Sequence, residues 1–186
     1  MKVRDILANV ALCIEDSDLS TAIKNSTEKN NSFNKQRTDI LFNCYKAVLN
    51  DVAVNYKGIE KVVKLSGKTL DLSAITDFVK RVIKVTDERG DSVKYEISGK
   101  ILKTFTENTS VYYEYIPTAN DISDDFPYEK ELIGARAFEY GICAEYCVIT
   151  NRIEEALNWD SKYRQAVEIK TDYKKRRLKA GKRWGL

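Results

Sequence analysis

Residues 127–173 read PYEKELIGARAFEYGICAEYCVIT, then NR, then IEEALNWDSKYRQAVEIKTDY, and both halves carry helical periodicity. In the first half Leu132, Ala135, Phe138, Glu139, Ile142, Tyr146 and Ile149 recur at spacings that place them along one side of a 3.6-residue helix. Beside them runs a line of small residues, Gly134, Ala137, Gly141 and Ala144. A glycine inside a helix costs about 1 kcal/mol relative to alanine, so this line predicts close packing against another backbone. The helix is expected to be buried on two sides, between helices of its own subunit or of a neighbour.

The ends of this helix are also marked. Asp124 and Asp125 precede Pro127, which is tolerated in a first turn because its missing N–H has no helical partner there. Glu129 and Glu131 add negative charge near the positive end of the macrodipole. Asn151 suits the left-handed capping position at the other end. In the second half Ile153, Ala156, Leu157, Tyr163 and Val167 share a side, so the pair reads as an antiparallel αα-hairpin.

Working outward toward the N-terminus, Val3, Ile6, Leu7, Val10 and Ile14 predict a short amphipathic helix ended by EDSDLS. Residues 24–34, KNSTEKNNSFN, read as a surface loop. Ser32 then N-caps a longer helix whose buried side holds Phe33, Ile40, Leu41, Cys44, Val48 and Val52, with Gly58 past its end. From Ile59 the period changes. Strands are expected over Ile59–Leu65, Phe78–Thr86, Ser92–Ser98, Ile101–Phe105 and Val111–Ile116. Asp87-Glu88-Arg89-Gly90 is a hairpin signal, and Val93, Tyr95 and Ile97 alternate with Lys94 and Glu96.

Strands grouped together and helices grouped apart predict an α+β fold. It is a helical bundle, made of N-terminal helices and the C-terminal αα-hairpin, with one small antiparallel sheet inserted over 59–117. Residues 1–173 form the domain; residues 174–186 form an extended basic C-terminal arm. That arm, KKRRLKAGKRWGL, carries Lys174, Lys175, Arg176, Arg177, Lys179, Lys182 and Arg183 without an acidic residue. Trp184 within it favours a docked segment over a merely solvating one.

The composition narrows the chemistry. With 43% hydrophobic and 32% charged residues in 186, the chain has the makings of a globular core. A net charge of +3 does not by itself imply nucleic acid. Arg4 and Asp5 interrupt what would be a signal peptide's apolar region, so none is expected. No stretch approaches the roughly 18 to 20 apolar residues of a membrane span, and no membrane partner is expected. The cysteines, at 13, 44, 143 and 147, fall in helical patterns and form no CxxC; buried free thiols are expected.

Histidine is absent, which removes the commonest general base, the Ser–His and Cys–His systems and the usual zinc ligand. Ser66-Gly67-Lys68-Thr69 ends like a phosphate loop, but position 62 is Val where a glycine is required, so a β-turn is expected. Ser98-Gly99-Lys100 fails the same test. DISDDF, with Asp121, Asp124 and Asp125, lacks the glycine and terminal glutamate of a calcium loop. Glu139, Glu145, Glu154 and Glu155 have no histidine to join them in a metal site; a solvated face or an inter-subunit ion pair is expected. Tyr112, Tyr113, Tyr115, Tyr128, Tyr140 and Tyr146 suit a core or an interface. No basic residue is interleaved with Tyr112, Tyr113 and Tyr115, which counts against base stacking. No catalytic residue, cofactor or metal site is expected.

The order of elements and the phrases VYYEYIPTANDISDDFPYEKELI and ARAFEYGICAEYCVITNRIEEALNWDSKYRQAVE resemble the head-to-tail connector proteins of tailed bacteriophages, the adaptor or tail-tubular ring proteins below the portal. In those proteins a strand ending in a "Y-x-P" phrase leads through an acidic loop into a helix of small residues and "AEY". A second helix then carries "A-x-x-W-x-x-x-Y", as Ala156, Trp159 and Tyr163 do here. The likeness spans residues 1–175 and is strongest over 111–167. It implies a homo-oligomeric ring, typically of twelve subunits, that meets the portal and other tail proteins and encloses the DNA channel of the virion. It implies assembly in the host cytoplasm, no catalysis, and an arm that docks on the portal. The alternative is a small nucleic-acid-binding protein that uses the basic arm.

Overall fold

The computed structural model describes residues 1–25, 32–75, 77–131 and 133–180, with the backbone alone at Ser32 and from residue 169 onward. The chain is α+β and divides into two units, residues 1–49 with 118–186, and residues 50–117.

The first unit is helical. Helix α1 (Val3–Cys13) buries Val3, Ile6, Leu7 and Val10, the periodic apolar positions, together with Ala8 and Ala11. Glu15, at φ +65°, closes it in the left-handed conformation, with Asp16 N–H donating to the Ala11 carbonyl at 2.8 Å. EDSDLS does more than stop α1. Asp16 accepts the Leu19 N–H at 3.0 Å and so caps a second helix, α2 (Ser17–Asn25), while its other oxygen pairs with Arg37.

Helix α3 (Ser32–Asp51) begins at Ser32, and residues 26–31 of the expected loop lie outside the described residues. Its buried side holds Leu41, Cys44 and Val48, with Tyr45 and Leu49 beside them. Phe33, expected in the core, is 60% exposed and carries the Arg37 guanidinium over its ring, while Ile40 is half-buried.

The expected helix start at Pro127 is corrected. Residues 127–130 form turns, Glu129 N–H reaching the Phe126 carbonyl at 3.3 Å and Glu131 N–H the Tyr128 carbonyl at 3.0 Å. Helix α4 begins later (Ala135–Ile149), with Gly134 as its extended N-cap residue; Leu132 lies outside the described residues. The acidic loop therefore serves α1. Val3 N–H and Arg4 N–H, otherwise without helical acceptors, donate to the carbonyls of Asp124 (3.0 Å) and Ile122 (2.8 Å). The Asp124 carboxylate accepts the N–H groups of Asn120 and Asp121, and Asp125 pairs with Lys2, which holds its carboxyl below the ordinary range. Phe126 and Tyr128 turn inward and meet Phe138 at ring separations of 4.9 and 5.3 Å, with Tyr45 at 6.2 Å. Four rings from three segments make the centre of this unit.

Asn151, at φ +58°, ends α4 as its side chain suits, and Arg152 N–H bonds back to the Cys147 carbonyl at 2.8 Å. Helix α5 (Ile153–Ala180) follows at once, so the two helices form a tight hairpin. It also corrects the arm. Residues 174–180 continue α5 without a break and are helical where an extended segment was expected. Lys182, Arg183 and Trp184 lie outside the described residues.

The second unit holds two three-stranded antiparallel sheets where one was expected. The first has the order β1 (Ile59–Leu65), β6 (Thr109–Ile116), β3 (Phe78–Thr86); the second has β2 (Thr69–Asp71), β5 (Ile101–Thr104), β4 (Tyr95–Ser98). The Asp87–Gly90 turn forms, with Gly90 at φ +90°, and Val93 N–H bonds to the Val85 carbonyl. After the Thr86–Ser92 bridge, however, the return strand leaves β3 and pairs with β5. Leu65, Val85 and Val111 of the first sheet and Leu102 of the second form a shared core.

Candidate interaction surfaces

Helix α4 is enclosed around most of its girth. Ala137, Phe138, Gly141, Ile142, Cys143 and Cys147 are all buried, and Gly141 of the small-residue line has partners within this chain. A β-carbon on Gly141 would lie 2.9 and 3.0 Å from the Val48 methyl groups and 3.1 Å from Tyr163 Cδ2. Helices α3 and α5 thus press on this position from two sides. Glu139, expected on a solvated face or in an inter-subunit ion pair, is buried and pairs within its own chain. Asn9 Nδ2 donates to its Oε1 at 2.9 Å, and Arg136 donates to Oε2 at 3.1 Å, so the buried carboxylate is hydrogen-bonded.

The hairpin's closed end is different. Ala156, Tyr163 and Val167 of α5 face inward as their periodicity predicts, but Ile153 and Leu157 do not. They stand 52% and 66% exposed, and Val148 and Ile149 at the end of α4 are 55% and 58% exposed. Four large aliphatic side chains gathered around one tight connection form a convex apolar corner. Glu154 and Glu155 lie in the first turn of α5, next to Ile153, and Arg152 pairs with Glu155.

Further along the hairpin Tyr140 stacks on Trp159 at 5.8 Å, with Arg136 over the tyrosine and Lys162 over the tryptophan. Trp159 and Tyr163, one turn apart on α5, thus have different roles: the first is half-buried in a surface stack, the second is buried against Gly141. Of the arm residues, Lys174, Lys175, Arg176, Arg177 and Lys179 lie on the final turns of α5.

The sequence cluster of tyrosines divides between the units, and register changes its meaning. In the first sheet Lys84 sits directly across from Tyr112 and its ammonium lies 4.5 Å from that ring; Lys61 lies 4.4 Å from the ring of Tyr115. Basic residues are therefore interleaved with these tyrosines in space though not in sequence. Lys61 also bonds to Asp77 at 2.8 Å, which raises the lysine above its ordinary range, and Tyr113 donates to the same carboxylate at 3.1 Å. Arg81 forks onto the buried Glu114 at 2.9 and 3.0 Å.

Beside β3 an open cleft of about 530 Å³ is lined by Leu72, Ile75, Phe78, Val82 and Ile97. Phe78 lines it while remaining 68% exposed. The cations Lys80, Arg81 and Lys100 share this cleft with a single carboxylate, Asp77.

Cys44, Cys143 and Cys147 are buried free thiols and Cys13 is half-buried. Burial, with Glu145 nearby, pushes the Cys44 thiol up to about 12. Among the described residues, no group of three or more histidines, cysteines or carboxylates is placed to hold a metal ion, and no helix is long and apolar enough to cross a membrane. The sequence matches no protein-family model and no curated protein.

Proposed function

We propose that this chain is a structural virion protein, a head-to-tail connector that assembles as a ring below the portal of a tailed bacteriophage and surrounds the DNA channel. The observation that carries this reading is the aliphatic corner of Val148, Ile149, Ile153 and Leu157. It lies within the stretch whose phrasing resembles the connector proteins, on a hairpin that is otherwise closely packed. An apolar surface of that kind belongs in an interface. The basic end of α5, from Lys174 onward, supplies a second contact, directed at the portal.

Purified protein imaged by negative-stain microscopy, alone and with its portal, tests the reading. Closed rings that attach to the portal are the expected result. A chain that stays monomeric and does not bind the portal overturns it.

A second reading is favoured by a separate observation. Lys61 over Tyr115 and Lys84 over Tyr112 place cations against aromatic faces on the first sheet, and more cations follow on α5. Such a combination suits a single-stranded nucleic acid. Binding that weakens steeply with salt and does not depend on assembly would support this reading over the ring.

A further inference from the structure

We propose that copies of this chain join head to tail, the aliphatic corner of one copy seating in the cleft beside β3 of the next. The proposal rests on the self-association in the reading above, and it names the two surfaces that meet. Both are apolar, and their charges are opposite. The corner is convex and presents Ile153 and Leu157, four positions apart on one side of α5, with Val148 and Ile149 at the end of α4. The cleft is concave, apolar at its walls, and holds an aromatic ring, Phe78, that a single copy leaves largely uncovered. Exposed aromatics in such pockets are the usual anchors of an interface.

Charge decides which partner fits. Ile153 is followed by Glu154 at the positive end of the α5 dipole, while Glu155 is already held by Arg152. The cleft offers Lys80, Arg81 and Lys100 against Asp77. Arg81 is already held by Glu114, and Asp77 by Lys61 and Tyr113. Lys80 is held by the backbone carbonyls of Ala53 and Val54, at 2.7 and 2.8 Å, so its positive charge is oriented without being cancelled there by a carboxylate. Two corners packed on each other about a two-fold axis would bring their Glu154 carboxylates together, and like-charge juxtaposition opposes that dimer. Corner into cleft avoids it. Because the two surfaces differ, the contact is heterologous, and repeating it yields a ring where the rotation closes.

Mass photometry of the full chain and of two surface variants, Leu157→Glu on the corner and Ile97→Glu in the cleft, tests this. Circular dichroism and melting first establish that both variants keep the native fold. Each variant alone is expected to need at least tenfold more protein to assemble. Mixed in equal amounts they are expected to form dimers and stop, since only the intact corner of Ile97→Glu and the intact cleft of Leu157→Glu remain to pair. The charge reversals Glu154→Lys and Lys100→Glu should each weaken assembly and together restore it. Rings that form normally in both variants overturn the docking and leave the ring reading standing. Open filaments or dimers that depend on both residues support the docking and remove the ring. A wild-type chain that is monomeric at every concentration overturns both.

Discussion

A β-carbon on Gly141 would stand 2.9 Å from Val48 Cγ1, closer than real side chains approach one another. At Gly141 the small-residue line of α4 is therefore a packing feature inside this subunit. Val48 is fully enclosed on α3 and, being β-branched, has few rotamers with which to retreat. Tyr163 closes the other side at 3.1 Å.

Gly141→Ala is expected to destabilise the protein. Overpacking costs roughly 1–3 kcal/mol, and the better helix propensity of alanine returns about 1 kcal/mol. The net destabilisation is about 1 kcal/mol, read as a lower urea midpoint at unchanged slope. Placing the same change in a Val48→Ala background removes the two closest contacts and leaves Tyr163 at 3.1 Å, so the substitution should there cost less. Equal destabilisation in both backgrounds would show that Val48 is not the obstacle. Gly141→Leu should prevent folding before assembly is ever reached.

Asn9→Ala is expected to cost about 1.5–3 kcal/mol, the range for a hydrogen bond to a charged group. It removes the 2.9 Å donor to Glu139 and leaves that buried carboxylate to Arg136, whose own side chain is largely exposed. The double variant Asn9→Leu with Glu139→Leu should recover much of the stability, because no buried charge then remains. Thermal melting of the native protein, Asn9→Leu, Glu139→Leu and the double variant gives the coupling directly.

The helix periods of α1, α4 and α5 are legible in the sequence because their apolar spacing is set by the core they face. What is not legible has specific physical causes. The end of α1 is legible in EDSDLS, but α2 is not, because Asp16 caps it within the same phrase and the left-handed turn between the helices falls on Glu15, where glycine or asparagine would announce it. The apolar period of α4 continues upstream of its true start, although the chain there is drawn off to satisfy the first N–H groups of α1. Periodicity places Ile153 and Leu157 on a side with Ala156, Tyr163 and Val167, but it cannot say whether one chain covers the whole of that side. The pairing of Lys61 and Lys84 with tyrosines depends on strand register, which no local signal in β1 or β3 supplies.

The buried thiols predict an alkaline weakness. Cys44 rises from 9.0 to about 12 in the folded chain, chiefly through burial. Burial raises Cys143 as well, with Cys13 and Cys147 beside it adding to the shift. Below pH 9.0 both states keep the Cys44 proton and nothing changes with pH. Above it the unfolded chain ionises first, so stability should fall as pH rises from 9.0 toward about 12. Melting temperatures across that interval should decline less in Cys44→Ala than in the native protein. At pH 8 a thiol reagent should label half-buried Cys13 first, and the other three only as the chain unfolds.

Truncation after Tyr173 separates the readings of the basic end. Helix α5 continues to Ala180, so the shortened chain should give up helical signal, and its melting curve first establishes that it folds. Under the connector reading, portal attachment should fail while DNA affinity stays where it was. Under the nucleic-acid reading, affinity should drop and its salt slope become shallower by about 0.7 to 0.9 for each phosphate that is no longer neutralised. Lys84→Glu then localises whatever binding remains. If the first sheet takes part, reversing the charge over Tyr112 should weaken DNA binding by about tenfold, the effect of some 1.4 kcal/mol, without touching portal attachment. If it does not, the rings should bind DNA as before, and Lys84 over Tyr112 is a cross-strand pair that serves the sheet alone.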